Sequence, residues 1–585
     1  MRPFATLRLL VSVGFCLTLA TLPAGAETRA RHAPSEDSAP SDTTWVDHDA
    51  RPIQKPRDWQ PDFYGHLFRD ALVEPVSHIF DVPDKLMGLA GALGARPRRE
   101  AVNVNAFDEV PNSTWFTNRN HVRSVPVSQL EQGPDSTLLP SKPWTVVHPK
   151  QGGASAGFQI KDSEGRKWLV KLDWHGYPEL SSHADMVART LLHAAGYNVP
   201  HNEPVRFRRE ELAIDEKLAH SAKGGFTGAD LDAILAKGAR DPDGDYLATA
   251  SLFLPGHALG SRSINRRRPE DSNDWYSHAN RRELRGFYVI CSWLGFWDTK
   301  DDNFLDMFDS TETAQGHVEH YILDPGSSFG ANADGVKPPQ KGFENTIDFK
   351  WTARRLMTLG FVQEPWRRAH QDTGLPSLGR FESAEFRPNE FEPEVPNPAF
   401  RAMTDRDAYW GAKIVASFSD AQIQAAVDAA HYQDPQARDL LVRNLIQRRD
   451  KIARYWFGKV APVDFFVVQN GDLRFRDLAV DIGMAPARRY EVRIESAQGG
   501  GGLAQYAGAD VAHGLRAGHS LRRVRPGRHE GRLRLDSPDL PLAQLDSASG
   551  SISLDVSIAG SKAKPAHVVL MKQGPDWVVA RVRHG

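Results

Sequence analysis

Asp298 stands five residues before Asn303 in WDTKDDNFLDMF, and Asp324 follows in YILDPGSSFG. An Asp at the start of a short loop can accept the proton of an attacking hydroxyl. An Asn further along that loop can offer a metal ion a neutral oxygen. A second Asp, delivered from a neighbouring strand, supplies the anionic oxygen that Mg²⁺ prefers, and the ion bridges nucleotide phosphates. The chemistry expected of the set is metal-assisted phosphoryl transfer, with Asp298 as base, Asn303 as a metal ligand and Asp324 as the principal metal ligand.

A DxxxxN pair arises by chance about once in a chain of this length, so the surrounding order has to carry the reading. The apolar run ELRGFYVICSWLGFW, Glu283 to Trp297, is expected to be a helix leading into the loop. HYIL, His320 to Leu323, is expected to be a strand leading into Asp324, which Pro325 and Gly326 then turn. Upstream, WTVVHP, GFQIKD and RKWLVKLD read as strands, and SSHADMVARTLLHAAGYNVP has helical spacing with Gly196 as its stop. EPVRF and DYLATASLFLPG add further strands. Lys171 in WLVKLD is the candidate phosphate-pairing lysine, with Asp185 on the following helix as its expected partner and Glu179 as the second choice. Gly152, Gly153 and Gly157 in QGGASAGFQI are candidates for letting backbone amides approach phosphates; GGxxxG is equally the composition of a flexible hairpin.

Lys171, the acidic helix, Asp298 to Asn303 and Asp324-Pro325-Gly326 together resemble the protein-kinase-like superfamily, in divergent branches such as the HipA-like, spore-coat and secretory-pathway kinases. VNVNAFDEVPNSTWFTNR, FLPGHALG and HANRRELRGF also look like an uncharacterised family of exported bacterial proteins. Phe296-Trp297 stand where the superfamily has His-Arg, and Pro325 replaces the Phe of Asp-Phe-Gly. The resemblance implies an α+β fold: a two-lobed kinase-like domain with an N-terminal extension and a C-terminal β-rich, sandwich-like domain. It also implies Mg²⁺ and ATP, or another nucleoside triphosphate, as cofactors.

MRPFATLRLLVSVGFCLTLATLPAGAE has a basic start, an apolar stretch from Leu9 to Leu22 and a small-residue cleavage site, so residues 1–26 read as a signal peptide. The chain is expected to be exported, periplasmic or secreted, without a stable membrane span. Removing Arg2 and Arg8 with that segment leaves 70 basic against 74 acidic side chains, a formal charge of −4. Nothing in that balance favours nucleic acid. Cys291 would be the one remaining thiol, read as a small core residue.

Residues 27–60 read as a disordered leader, 61–143 as the N-terminal extension, 144–256 as the N-lobe and 257–460 as the helical C-lobe. Residues 461–585 read as a separate β-rich domain suited to contact with an envelope protein or glycan. Arg266 to Arg268, Arg281, Arg282 and Arg285 read as a solvated, salt-bridged surface, with an acidic or phosphorylated substrate as the alternative. The acceptor is unassigned. If the host is a bacterium, the exported space is poor in ATP, which makes a catalytically inactive pseudokinase-type scaffold a rival reading. A third is a carboxylate-based hydrolase using Asp298, Asp301, Asp302 and Asp306. His317 and His320 lack the helical context of a zinc site.

Overall fold

Alternating apolar and polar residues build most of the strands. In chain order the first ten are β1 (Ile53–Gln54), β2 (Trp144–Pro149), β3 (Gly157–Lys161), β4 (Lys167–Leu172), β5 (Asn202–Phe207), β6 (Leu212–Ile214), β7 (Tyr246–Leu252), β8 (His257–Ser261), β9 (Phe304–Ser310) and β10 (Gln315–Ile322). The computed structural model describes residues 46–59, 99–132, 138–220, 225–310, 315–369, 372–495, 530–535 and 550–585. The expected signal peptide, most of the leader, FYGHLFRDAL, LMGLAGALGA and the Gly499 to Gly502 run lie outside those residues. No described helix is long and apolar enough to cross a membrane.

Six strands form one sheet in the order β5-β7-β4-β3-β2-β6, antiparallel except for the β2–β6 pair. Trp168, Val170 and Leu172 of β4 join Val146, Phe158 and Ile160 in a core on one face. Alternation sends Lys171 to the other face, where the helix Leu180–Ala195 meets it.

A second sheet, β1-β10-β9-β8, is antiparallel throughout. Its first strand corrects one expectation. Residues 46–59 are not a flexible leader: Ile53 pairs with Gly316, and buried Asp49 accepts hydrogen bonds from the Thr114 amide and hydroxyl. The Pro-rich, charged composition concealed the buried anchors Asp49, Ile53 and Pro56.

The helix Arg282–Leu294 runs through the largest apolar core. The helix Asp405–Ala416 crosses it where Gly286 faces Gly411; a Cβ at Gly286 would press on Trp410, and one at Gly411 on the Gly286 carbonyl. The helices Asp420–Asp428 and Pro435–Phe457 pack around this pair, capped by Ser419 and Asp434. Trp351, Trp410 and Trp456 are all buried, and the buried Cys291 thiol is pushed well up by desolvation. The short hairpin of β11 (Ala331–Asn332) and β12 (Gly335–Val336) follows Asp324. Residues 372–397 are largely without regular structure, where helix was expected to continue.

The C-terminal strands are β13 (Val463–Gln469), β14 (Asp472–Asp477), β15 (Tyr490–Glu495), β16 (Glu530–Arg534), β17 (Ser551–Ile558), β18 (Ala566–Gln573) and β19 (Asp576–His584). They form sheets β13-β14-β16 and β15-β17-β18-β19, whose apolar side chains share one core. LRFRDLAVDI, within the region expected to be β-rich, starts in β14 and continues as the short helix Leu478–Asp481, capped by Asp477.

This region is not separate from the rest. Asp108 accepts from Arg282 and Arg406, each at 2.6 Å, and its other oxygen accepts from the backbone amide of His584 at 2.9 Å. Lys413 bridges Glu109 and Asp464. Arg281, Arg282 and Arg285 are corrected with it, whereas Arg266 and Arg267 are exposed as expected. Arg281, Arg282 and Arg285 are each about 1% exposed, Arg282 and Arg285 pairing with Asp407 and Arg281 lying over the Trp115 ring. They are neither a solvated surface nor a substrate site, but the joint between the N-terminal segment, the helices and the last strand.

Candidate functional site

The chain reaches the site from three directions. Helix Arg282–Leu294 ends at Gly295, whose left-handed backbone (φ 65°) lets the chain reverse while Phe296 N–H bonds back to Cys291 O. Buried Phe296 and Trp297 then pin the loop, the indole of Trp297 donating to Ala331 O, so that Asp298 is launched from a rigid base. The 3₁₀ turn Asp301–Asn303 leads directly into β9. Asn303 is buried and its Nδ2 donates to the Asp298 carbonyl at 2.6 Å, which commits its amide nitrogen to the loop and leaves Oδ1 as its ligand atom.

The hairpin register supplies the second direction. Ile322 pairs with Phe304, and Leu323 N–H donates to Asn303 O at 2.8 Å, so Asp324 emerges beside Asn303. Asp324 has a left-handed backbone, φ 49°. Gly326 holds that turn against the helix Leu180–Ala195, since a Cβ there would touch Ser181 and Asp185.

From the third direction comes Lys171. Its Nζ lies 3.1 Å from Asp185 Oδ2 and 2.6 Å from Asp324 Oδ1. Burial alone would draw the Lys171 ammonium down, but Asp185 and Asp324 outweigh it and raise its pKa. Asp324 moves the opposite way: the charge of Lys171 lowers its pKa, against desolvation, with Lys150 and Lys300 adding to the effect. The Asp at 185 reaches the lysine although it is one methylene shorter than Glu. Its other oxygen accepts from Asn202 Nδ2 at 2.7 Å, and Asn202 in turn accepts from Ser251 at 2.6 Å. Glu179, the second choice of partner, lies elsewhere, 3.2 Å from Arg206.

Asn202 and Lys150 were missed. Asn202 had only its place at the head of a strand to suggest a role. Lys150 directly follows β2, just before the glycines, and its position was the available signal. Gly152 and Gly153 have positive φ, and Lys150 Nζ donates to Gly152 O at 2.7 Å and Ser155 O at 3.1 Å. Gly157 sits directly opposite Lys171 in the β3–β4 register, where a Cβ would collide with Val170 O. Gly157 is therefore a packing glycine that lets the loop lie close over Lys171. Burial lowers the Lys150 pKa, Lys171 repels it, and Asp324 attracts it. Two lysines thus share one carboxylate. Lys150→Ala is expected to weaken binding of a Mg-nucleotide roughly 10- to 100-fold, the worth of a charge-assisted hydrogen bond of about 1.5–3 kcal/mol. Titration calorimetry tests this, and an unchanged affinity would remove Lys150 from the site.

The donor set of Asp324 and Asn303 suits Mg²⁺, an oxygen-seeking ion that takes one or two carboxylates and completes its shell with phosphates and water. Among the described residues no group of three or more His, Cys, Asp or Glu is placed to hold a metal by itself.

The remaining carboxylates are occupied. Asp306 is fully buried between Arg262, Arg268 and His320, which overcome desolvation and hold it well below the usual carboxylate range. Asp301 accepts from Ile264 N–H. His320 stacks on Trp115 at 3.6 Å, and His317 pairs with Glu319.

No family model matches the chain, and no curated protein does. Among solved structures it is similar to the Helicobacter pylori proinflammatory kinase CtkA, with 10% identity and a TM-score of 0.28 over 53% of this chain and 93% of that one. It is similar to the Golgi casein kinase, with 11% identity and a TM-score of 0.28 over 61% of this chain and 84% of that one. A structure of the Golgi casein kinase with Mn/ADP bound gives 15% identity and a TM-score of 0.19, over 50% and 75% of the two chains. Likeness this distant leaves the reading of the site to its own geometry.

Proposed function

We propose that the chain is an exported kinase-like phosphotransferase, moving a phosphoryl or nucleotidyl group from a Mg-bound nucleotide to an acceptor hydroxyl. The observation that carries the reading is Lys171 joining Asp185 of the helix to Asp324 of the hairpin, at 3.1 and 2.6 Å. In this proposal residues 144–256 and 257–460 are the two lobes, 461–585 is a sandwich-like attachment, and 1–26 is an export signal.

Lys171 and Lys150 hold and orient the donor phosphates, Lys171 being fixed by Asp185 and Asn202. Asp324 and Asn303 would hold Mg²⁺, which when bound would supply positive charge to the phosphate oxygens. Asp298 takes the proton of the acceptor hydroxyl as its oxygen bonds to the γ-phosphorus and the bond to the β-phosphate oxygen breaks. Nucleotidyl transfer would differ in attack at the α-phosphorus, with pyrophosphate leaving. Asp298 Oδ2 is 2.9 Å from Lys300 Nζ, while Oδ1 is buried and has no hydrogen-bond partner among the described residues.

The test is a melting curve of the purified chain with Mg²⁺ and a nucleoside triphosphate. Ligand at one hundred times its Kd adds about 2.7 kcal/mol to stability. No shift with any nucleotide and divalent ion would favour the scaffold reading, for which Lys300 on Asp298 and Lys171 on Asp324 would be permanent structural pairs.

A further inference from the structure

Trp297, the residue before Asp298, is 4% exposed and gripped on three sides. Its indole donates to Ala331 O at 3.1 Å, its carbonyl accepts from the Glu394 backbone amide at 2.9 Å, and Lys341 Nζ lies 4.6 Å over its ring. The last two contacts come from residues to which the proposed chemistry gives no role.

Those two residues belong to one clip. Residues 341–346 run beside 392–394: Glu392 N–H donates to Gly342 O at 3.1 Å, Thr346 N–H to Glu394 O at 2.8 Å, and Asn345 Nδ2 to Pro393 O at 2.6 Å. Gly342, with φ 89°, permits the bend that begins this pairing directly after Lys341. Tyr288 of the buried helix Arg282–Leu294 anchors the clip, its hydroxyl donating to Phe391 O at 3.1 Å. Lys341 and Glu394, 53 positions apart and both half-buried, close it as an ion pair. The ammonium on the indole face and the amide on the Trp297 carbonyl are therefore tied to each other.

Trp297 O matters because it lies in the same rigid peptide plane as the Asp298 nitrogen. The hydrogen bond from Glu394 fixes the plane in front of Asp298, and Asn303 Nδ2, donating to Asp298 O at 2.6 Å, fixes the plane behind it. With both planes held, the two backbone rotations of Asp298 are set and its carboxylate starts from one defined position. The cation over the indole adds an attraction that strengthens as water is excluded, and it holds the ring whose backbone carries the first plane.

We infer that Lys341 and Glu394 are positioning residues for Asp298: the pair holds Trp297 in place, and Trp297 delivers the carboxylate to the acceptor hydroxyl. The role of Asp298 as base rests on the phosphotransferase reading; the clip does not. Lys341 lies close enough for the charge of Asp298 to act on it, but its direct partner is Glu394, so it works through the loop and not on the substrate.

Lys341→Met removes the ammonium and keeps an unbranched side chain over the ring, and Glu394→Gln removes the carboxylate while leaving the backbone amide in place. In the whole chain, either variant is expected to speed hydrogen exchange in peptides covering residues 296–300. Transfer from a γ-labelled nucleotide should fall roughly 10- to 100-fold, the cost of a slightly misplaced group, with Mg-nucleotide affinity by calorimetry unchanged. Lys341→Arg, which keeps the cation, should restore both protection and transfer. The double variant should be no worse than the worse single one, because the two residues act as a unit. Transfer that falls while residues 296–300 stay protected, a matching loss of nucleotide affinity, or Lys341→Arg no better than Lys341→Met would overturn the inference. If Lys341→Met does not fold, Glu394→Gln carries the same comparison. Loosening of 296–300 in both variants, in a protein whose wild type neither transfers nor responds to any Mg-nucleotide, keeps the clip and loses the phosphotransferase reading. Wild-type transfer that neither variant diminishes loses the clip alone.

Discussion

Asp298→Asn is expected to reduce transfer from a γ-labelled nucleotide, to water or to the chain itself, by roughly 10²- to 10⁴-fold, with nucleotide affinity unchanged. Asp324→Asn is expected to remove the Mg-nucleotide stabilisation altogether. The two acids differ because their surroundings differ. Asp298 pairs with Lys300, which sets it apart from the lysine that ties Asp185 to Asp324. Asp324 is tied to Lys171 and senses Lys150 and Lys300, so its charge organises the three lysines around it. Labelled transfer and calorimetry on the two variants separate these roles. Equal loss of nucleotide binding in both would sink the division, and undiminished transfer by Asp298→Asn would dismiss it as the base.

The elements that place these acids were legible because each depends on local pattern. Helical spacing from Glu283 to Leu294, a glycine after it, alternation in WLVKLD and the turn at Pro325-Gly326 all act within a few residues. What escaped depends on contacts remote in sequence. Asn202 supports Asp185 across 17 positions, and Asp49 reaches Thr114 across 65. Arg281, Arg282 and Arg285 show the same limit. Alternating Arg and acid in HANRREL is the composition of a solvated face, and only the arrival of Asp108 and Asp407 from distant segments makes burial tolerable. The last strand had no feature to connect His584 with Asp108, 476 positions away. The contact of Arg380 with Lys337 O also lacked a pattern, because the close crossing of Gly330 and Gly379 rather than a periodic element brings the two together.

Arg282→Met is expected to destabilise the protein by about 3–5 kcal/mol, the cost of leaving buried carboxylates without their partner. Arg282 donates to Asp108 at 2.6 Å and to Asp407 at 3.1 Å, and all three side chains are about 98% buried or more. Arg406 still reaches Asp108 and Arg285 still reaches Asp407, at 3.4 Å, but neither spans both acids. Arg282→Lys should recover only part of the loss, since an ammonium lacks the planar fork that serves two carboxylates at once. The same joint gives stability a pH dependence on both sides. Arg282, His584 and Arg406 outweigh desolvation and hold Asp108 well below its usual range, so its contribution is present above the ordinary carboxylate value and is lost as pH falls through the depressed one. For His584, burial is outweighed by Asp464 and Asp108, which raise its pKa; its contribution is full below the ordinary imidazole value and is lost as pH rises through the raised one. Urea midpoints for wild type, Arg282→Met and Arg282→Lys across this pH range measure both effects. A loss below about 1 kcal/mol in Arg282→Met, the size of a surface ion pair, would mean that the joint does not hold the last strand to the helices.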